Sequence, residues 1–151
     1  MKKAFTLIEL LLYVSIIGSV ILAMSVFFSV LQRQRVRSQV ISEVENQLLA
    51  PMQIMTQMAR NAQAIVSPGV GISSGSATLD STIFSLASGA VTMNTIPLTS
   101  EKVVVSNLTF TNLSATSPGT LRIQYTVSYN NPGTMPEYTY SKAATGSATL
   151  R

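Results

Sequence analysis

From Phe5 to about Leu31 the chain reads FTLIELLLYVSIIGSVILAMSVFFSVL, roughly 27 residues whose only charge is Glu9. As an α-helix this run is about 40 Å long at 1.5 Å per residue. It exceeds the roughly 30 Å of a bilayer's hydrocarbon core, so it spans with tilt or protrudes at one end. Thr6, Ser15, Gly18, Ser19, Ser25 and Ser29 interrupt it. Small residues let another helix approach closely, and hydroxyls hydrogen-bond within the helix or across to a neighbour. Ahead of the run stand Lys2, Lys3 and Ala4.

The helical pattern continues past the apolar run. Val36, Val40, Val44, Leu48, Met52, Met55, Ala59, Ala62 and Val66 follow one another at steps of three or four, one stripe of a helix. Ile41, Leu49, Met58 and Ile65 widen it on one side. The spacing predicts one continuous helix of roughly 60 residues, near 90 Å long. Pro51 lies inside it and is expected to kink it, because proline removes a main-chain donor and crowds the preceding turn. Met52, Met55 and Met58 read as adaptable core filler. Arg33, Arg35 and Arg37, just beyond the apolar run, are placed to meet lipid headgroups.

SPGVGISSGS, residues 67–76, reads as a linker that ends the helix. Beyond it the period changes to two. In LRIQYTVSY, Leu121, Ile123, Tyr125, Val127 and Tyr129 share one face, and Arg122, Gln124, Thr126 and Ser128 the other. KVVV and NLTFTNL predict further strands, with Ser106 and Asn107 as a bulge or short turn between them. TIFSL and AVTM flank Ala87, Ser88 and Gly89 as a tight hairpin of unfixed turn type. EYTYS and GSATLR suggest a terminal hairpin. The apolar face of this small antiparallel sheet needs a cover, and the stripe of residues 36–66 supplies it. The expected fold is therefore α+β: a long N-terminal helix, transmembrane in its first half and amphipathic in its second, packed on a small antiparallel sheet. The expected divisions are 1–4, 5–31, 32–66, 67–76 and 77–151.

Composition narrows the chemistry. Cysteine, histidine and tryptophan are absent from the 151 residues, which removes the usual ligands of transition metals and the thiol and imidazole of common catalysts. Six acidic residues are scattered along the chain. Charged residues are 11% of the total, against about 25% in an average soluble domain. The net charge is +4, but Lys2 and Lys3 supply two of those charges, and the remaining cations form no stripe interleaved with aromatics. No enzyme, metal, cofactor or nucleic-acid partner is expected. Asn107 and Asn112 match the glycosylation pattern, a match of little weight in a threonine-rich strand segment.

Glu9 separates two readings of the N-terminus. A carboxylate at a membrane helix centre costs roughly 2.5–3.5 kcal/mol, less near an interface and at a helix start, where the dipole favours an anion. A cleaved signal peptide has a shorter apolar region, free of acid, and a plain anchor gives the carboxylate no purpose. KKAFTLIELLLYVSIIG resembles the N-terminal segment of type IV pilins and of the pseudopilins of type II secretion. The closing pattern, VVVSNLTFTNL, a strand and TLR, resembles their minor subunits more weakly.

That resemblance implies a basic leader of residues 1–4, cut between Ala4 and Phe5 on the cytoplasmic side by a prepilin peptidase that also methylates the new terminus, Phe5. Glu9 would then pair with the amino group of Phe5 on a neighbouring subunit and set the axial register of a filament, and Gly18 matches a common family glycine. The implied partners are the peptidase, other pilin or pseudopilin subunits, an inner-membrane assembly platform and membrane lipid. Two positions depart from the family pattern: Ala4 stands where glycine usually precedes the cut, and Val26 where major pilins carry proline. Gly18 is then the nearest point of helix flexibility, with Pro51 the only helix proline. The competing class is a non-polymerising, membrane-anchored extracytoplasmic binding module.

Overall fold

The structure is a computed structural model that describes residues 6–114, 119–131, 133 and 135–151. One α-helix, α1 (Leu7–Asn61), is followed by nine strands among the described residues. The chain divides into two compact units, Met1–Ser38 and Gln39–Arg151.

In the first unit α1 carries the apolar run. Every residue from Leu7 to Val30 is exposed, and the segment is long and apolar enough to cross a membrane. Ser19 Oγ donates to the carbonyl of Ser15 at 2.9 Å and Ser29 Oγ to that of Ser25 at 3.1 Å. Those hydroxyls are therefore satisfied within the helix, as an apolar surrounding requires.

In the second unit the helix buries one stripe: Val40, Val44, Leu48, Pro51, Met55 and Ala59. Of these, Val44, Leu48, Met55 and Ala59 form one core with the inner faces of two antiparallel sheets rather than the single sheet expected. The first holds β1 (Ile65–Ser67), β3 (Ala77–Leu79), β4 (Thr82–Ala87), β5 (Ala90–Met93) and β6 (Ile96–Pro97), in that order. The second holds β2 (Ser73–Ser74), β7 (Val103–Asn112), β8 (Thr120–Tyr129) and β9 (Ser141–Thr149). Phe84 and Phe110, both fully buried, bring the sheets together with ring centroids 6.5 Å apart. A main-chain bond from Val105 N to Gly89 O, 2.7 Å, also joins them.

The expected strand faces hold in β8, where Leu121, Ile123, Tyr125 and Val127 are buried. β7 merges the two predicted strands through a bulge at Asn107 (φ 55°), where the register with β8 shifts. Its consequence is a change of parity. Val103 and Val105 are buried before the bulge, Leu108, Phe110 and Asn112 after it. One extra residue keeps a single face inward along the whole strand.

Several boundaries differ from expectation. The helix stops at Asn61, not residue 66. Helical continuation would send the amides of Gln63 and Ala64 to the preceding turn; instead the Asp80 carboxylate accepts both, at 3.0 and 2.9 Å. Asp80 N returns a bond to Ala64 O at 3.2 Å, and Ile65 pairs with Leu79 in β1. Val66 consequently lies on the outer side, 63% exposed. The stretch 67–76 is more than a linker, because Ser73 and Ser74 pair with Thr111 and Phe110 as β2. Of the three methionines Met55 is buried and Met52 half-buried, whereas Met58 is exposed, as is Leu49. In place of the terminal hairpin, Pro136–Tyr138 forms a 3-10 turn, and Ser141–Thr149 is one strand added to β8.

Candidate functional site

The residues singled out for function fall in three places. Lys2, Lys3, Ala4 and Phe5 lie outside the described residues. Glu9 occupies the first turn of α1. Glu9 N and Leu10 N donate to Thr6 O at 3.1 and 3.2 Å, so Thr6 stands at the helix start. The Glu9 carboxylate is exposed and faces Thr6 Oγ1 at 3.5 Å. A helix N-terminus suits an anion, because its first amides point outward and the dipole is positive there.

Gly18 sits on the same exposed segment. A methyl group built on it would meet no atom within 4 Å. Among the described residues no packing from outside its own turns therefore requires glycine, although glycine costs a helix interior roughly 0.5–1 kcal/mol relative to alanine. Arg33, Arg35 and Arg37 are carried by the following turns, Arg33 and Arg35 and Arg37 all being exposed.

Pro51, by contrast, is fully buried in the second unit. Around it the helix is tied down by contacts that sequence reasoning did not find. Tyr125 Oη donates to Leu48 O at 2.5 Å. Gln47 Oε1 accepts from Ser100 N at 3.1 Å, and Glu43 Oε1 lies 3.2 Å from Gln47 Nε2 and 3.5 Å from Ser100 Oγ. Glu45 pairs with Lys142 of β9 at 2.6 Å, and this holds the Lys142 ammonium pKa above its ordinary value. Three acids thus have structural partners: Glu43 and Glu45 fasten the helix, and Asp80 ends it. For the two glutamates the signal in the sequence was only polarity at positions flanking the apolar stripe, and Asp80, in the turn after β3, gave none.

Asn112, one of the two glycosylation-pattern residues, is buried; its Nδ2 donates to Pro68 O at 3.0 Å and its Oδ1 accepts from Ser114 N. It holds the segment after β1 against β7. A cleft of about 470 Å³ lies beside Lys102, Tyr129, Asn130, Met135 and Tyr138. The two tyrosine rings stack with centroids 5.6 Å apart. Asn130 Nδ2 donates to Glu101 O and Asn131 Nδ2 to Met135 O, so these amides fold the loop that forms the cleft wall.

Comparison of the chain with family models, curated proteins and solved structures finds no match.

Proposed function

We propose that this chain is a pilin-like structural subunit, a minor one, of a type IV pilus or secretion pseudopilus. The observation that carries the reading is the division of α1. Residues 40–59 bury a stripe in the sheet unit, while the whole stretch from Leu7 to Val30 stays exposed with Glu9 in its first turn and an uncrowded Gly18.

A membrane explains the exposed apolar surface but not the acid or the glycine. Packing against like helices explains all three. Glycine permits close approach between helices. A buried carboxylate is tolerable when paired, and the amino group of Phe5 on a neighbouring subunit is the partner. Such a pair sets register, as a buried polar group does in coiled coils. The precursor sits in the cytoplasmic membrane with its leader inside. A prepilin peptidase cuts between Ala4 and Phe5 and methylates Phe5, and an inner-membrane platform builds the filament outward. No residue has a catalytic role here.

The test is intact-mass spectrometry of the membrane-extracted chain, expressed with and without a prepilin peptidase, followed by imaging of assembly. The expected product begins at N-methylated Phe5 only when the peptidase is present, and Glu9→Leu inserts normally but fails to assemble. A Glu9→Leu chain that works like the parent would replace this reading with the non-polymerising anchored module. A cut near Ser25 would overturn both.

A further inference from the structure

The four sheet edges of the second unit differ sharply. β1 is three residues long with an irregular register, and Pro68 follows it. β6 is Ile96–Pro97, two residues ending in proline, and β2 is two residues. Short strands, bulges and prolines are the ordinary means by which a protein closes an edge to further pairing. β9 has none of them. It is nine residues long, SKAATGSAT, and its pairing with β8 runs without a register shift from Ser141 to Thr149.

The ladder also fixes which main-chain groups β9 turns outward. Leu150 N bonds to Gly119 O, and Tyr129 N to Tyr140 O, between residues that stand directly opposite. In an antiparallel ladder hydrogen-bonded and non-bonded pairs alternate. The even-numbered residues of β9 therefore bond to β8, and Ser141, Ala143, Thr145, Ser147 and Thr149 aim their N–H and C=O groups away from it. All five are exposed. Among the described residues, no hydrogen bond beyond the β8 ladder reaches the main chain of this strand. The only charge on β9, Lys142, is engaged by Glu45. This is an edge for strand addition, in which main-chain bonds supply the affinity.

The geometry points to a second copy of this chain as the occupant, with β9 of one molecule antiparallel to β9 of the other. Among the edges formed by the described residues only β9 is long enough to pair over nine residues. Register and chemistry agree with self-pairing. With Thr145 opposite Thr145, every outward residue meets another outward residue: Ser141 meets Thr149 and Ala143 meets Ser147. Side chains along the seam are small and uncharged, and each Lys142 faces Ala148 rather than its own counterpart. The contact is two-fold and closes on itself, so it makes a pair and not a growing chain. It is independent of the filament reading.

The chain has no cysteine, so a single substitution reports one position. The experiment oxidises full-length Thr145→Cys and Ala143→Cys chains in detergent micelles. Directly opposed bonded residues have Cα atoms about 5.5 Å apart, inside the roughly 4.4–6.8 Å window of a disulfide. In the Ala143→Cys pair the two thiols would stand four strand positions apart, about 13 Å. The expected result is a disulfide-linked dimer from Thr145→Cys at least ten-fold faster than from Ala143→Cys. Adding Ser147→Pro, which removes an outward N–H and leaves the β8 ladder intact, should abolish the difference with the melting curve unchanged. Equal rates for the two variants would mean random collision and would overturn the proposal, as would a monomeric Thr145→Cys chain. Loss of the dimer on adding a different protein, with that protein crosslinked to the Thr145→Cys thiol instead, would assign the edge to it and overturn self-pairing.

Discussion

The hydroxyl of Tyr125, in the buried row of β8, donates to the main-chain carbonyl of Leu48 at 2.5 Å, across 77 residues of chain. Leu48 lies three residues before Pro51, which has no N–H to give to the turn behind it. A polar tether thus reaches the helix beside an interior break in its own ladder and ties that turn to the buried row of β8.

Tyr125→Phe is expected to cost about 1 kcal/mol of stability, the usual net worth of one hydrogen bond, with the fold retained. Its pH dependence is the sharper test. Burial holds the Tyr125 hydroxyl pKa well above the ordinary 10.0, against a smaller opposing effect of a main-chain bond at Met52. The folded state therefore keeps a proton that the unfolded state releases. That contribution is complete below about pH 10 and is lost as pH rises further. Lys142, also raised, acts in the same direction. Thermal melts from about pH 8 to about pH 11.5 should show a steep alkaline decline in the parent and a shallower one in Tyr125→Phe.

Gly146 of β9 lies under Met52. A methyl group built on it would sit 2.6 Å from Met52 Sδ, closer than packed atoms allow. Gly146→Ala should destabilise by about 1–2 kcal/mol through overpacking. The penalty should shrink when Met52→Ala is added, and urea melts of the four chains measure that coupling.

Thr95, in the two-residue turn between β5 and β6, holds φ at 74°, next to Asn94 at 48°. A β-branched residue is strained there, whereas Asn-Gly suits this turn. Thr95→Gly is expected to stabilise by about 1 kcal/mol, read as a raised melting temperature.

Met55 is completely buried, and Leu12 on the same helix is 56% exposed. Met55→Ala should cost about 2–5 kcal/mol. Leu12→Ala should leave the melting of the sheet unit in place, and circular dichroism in the strand region distinguishes the two.

Periodicity alone revealed much of this architecture. The run from Leu7 to Val30, the stripe through Val40, Val44, Leu48, Met55 and Ala59, and the alternation in β8 all follow from side chains repeating at one period. The helix end escaped because its cause is remote: Asp80 captures amides 16 and 17 residues earlier. Ala62 still keeps its bond to Met58 O and its place in the core, whereas Val66 continues the helical spacing by coincidence. The split into two sheets escaped because strands of two or three residues, such as Ser73–Ser74, are too short to carry a period. Glu9 and Gly18 were visible as exceptions to an apolar run, whereas Tyr125 looked like one more core residue and its hydroxyl bond could not be foreseen.

The route of the chain between the sheets has a practical consequence. It enters the first sheet at β1, crosses to the second for β2, returns for β3–β6, and crosses again for β7–β9. No contiguous fragment of the sequence contains one complete sheet and nothing of the other. Removing residues 98–151 strands β2 without β7, and removing 77–97 leaves β1 without β3. The two sheets are in effect woven, so a split-protein design or a limited-proteolysis map should find no stable half.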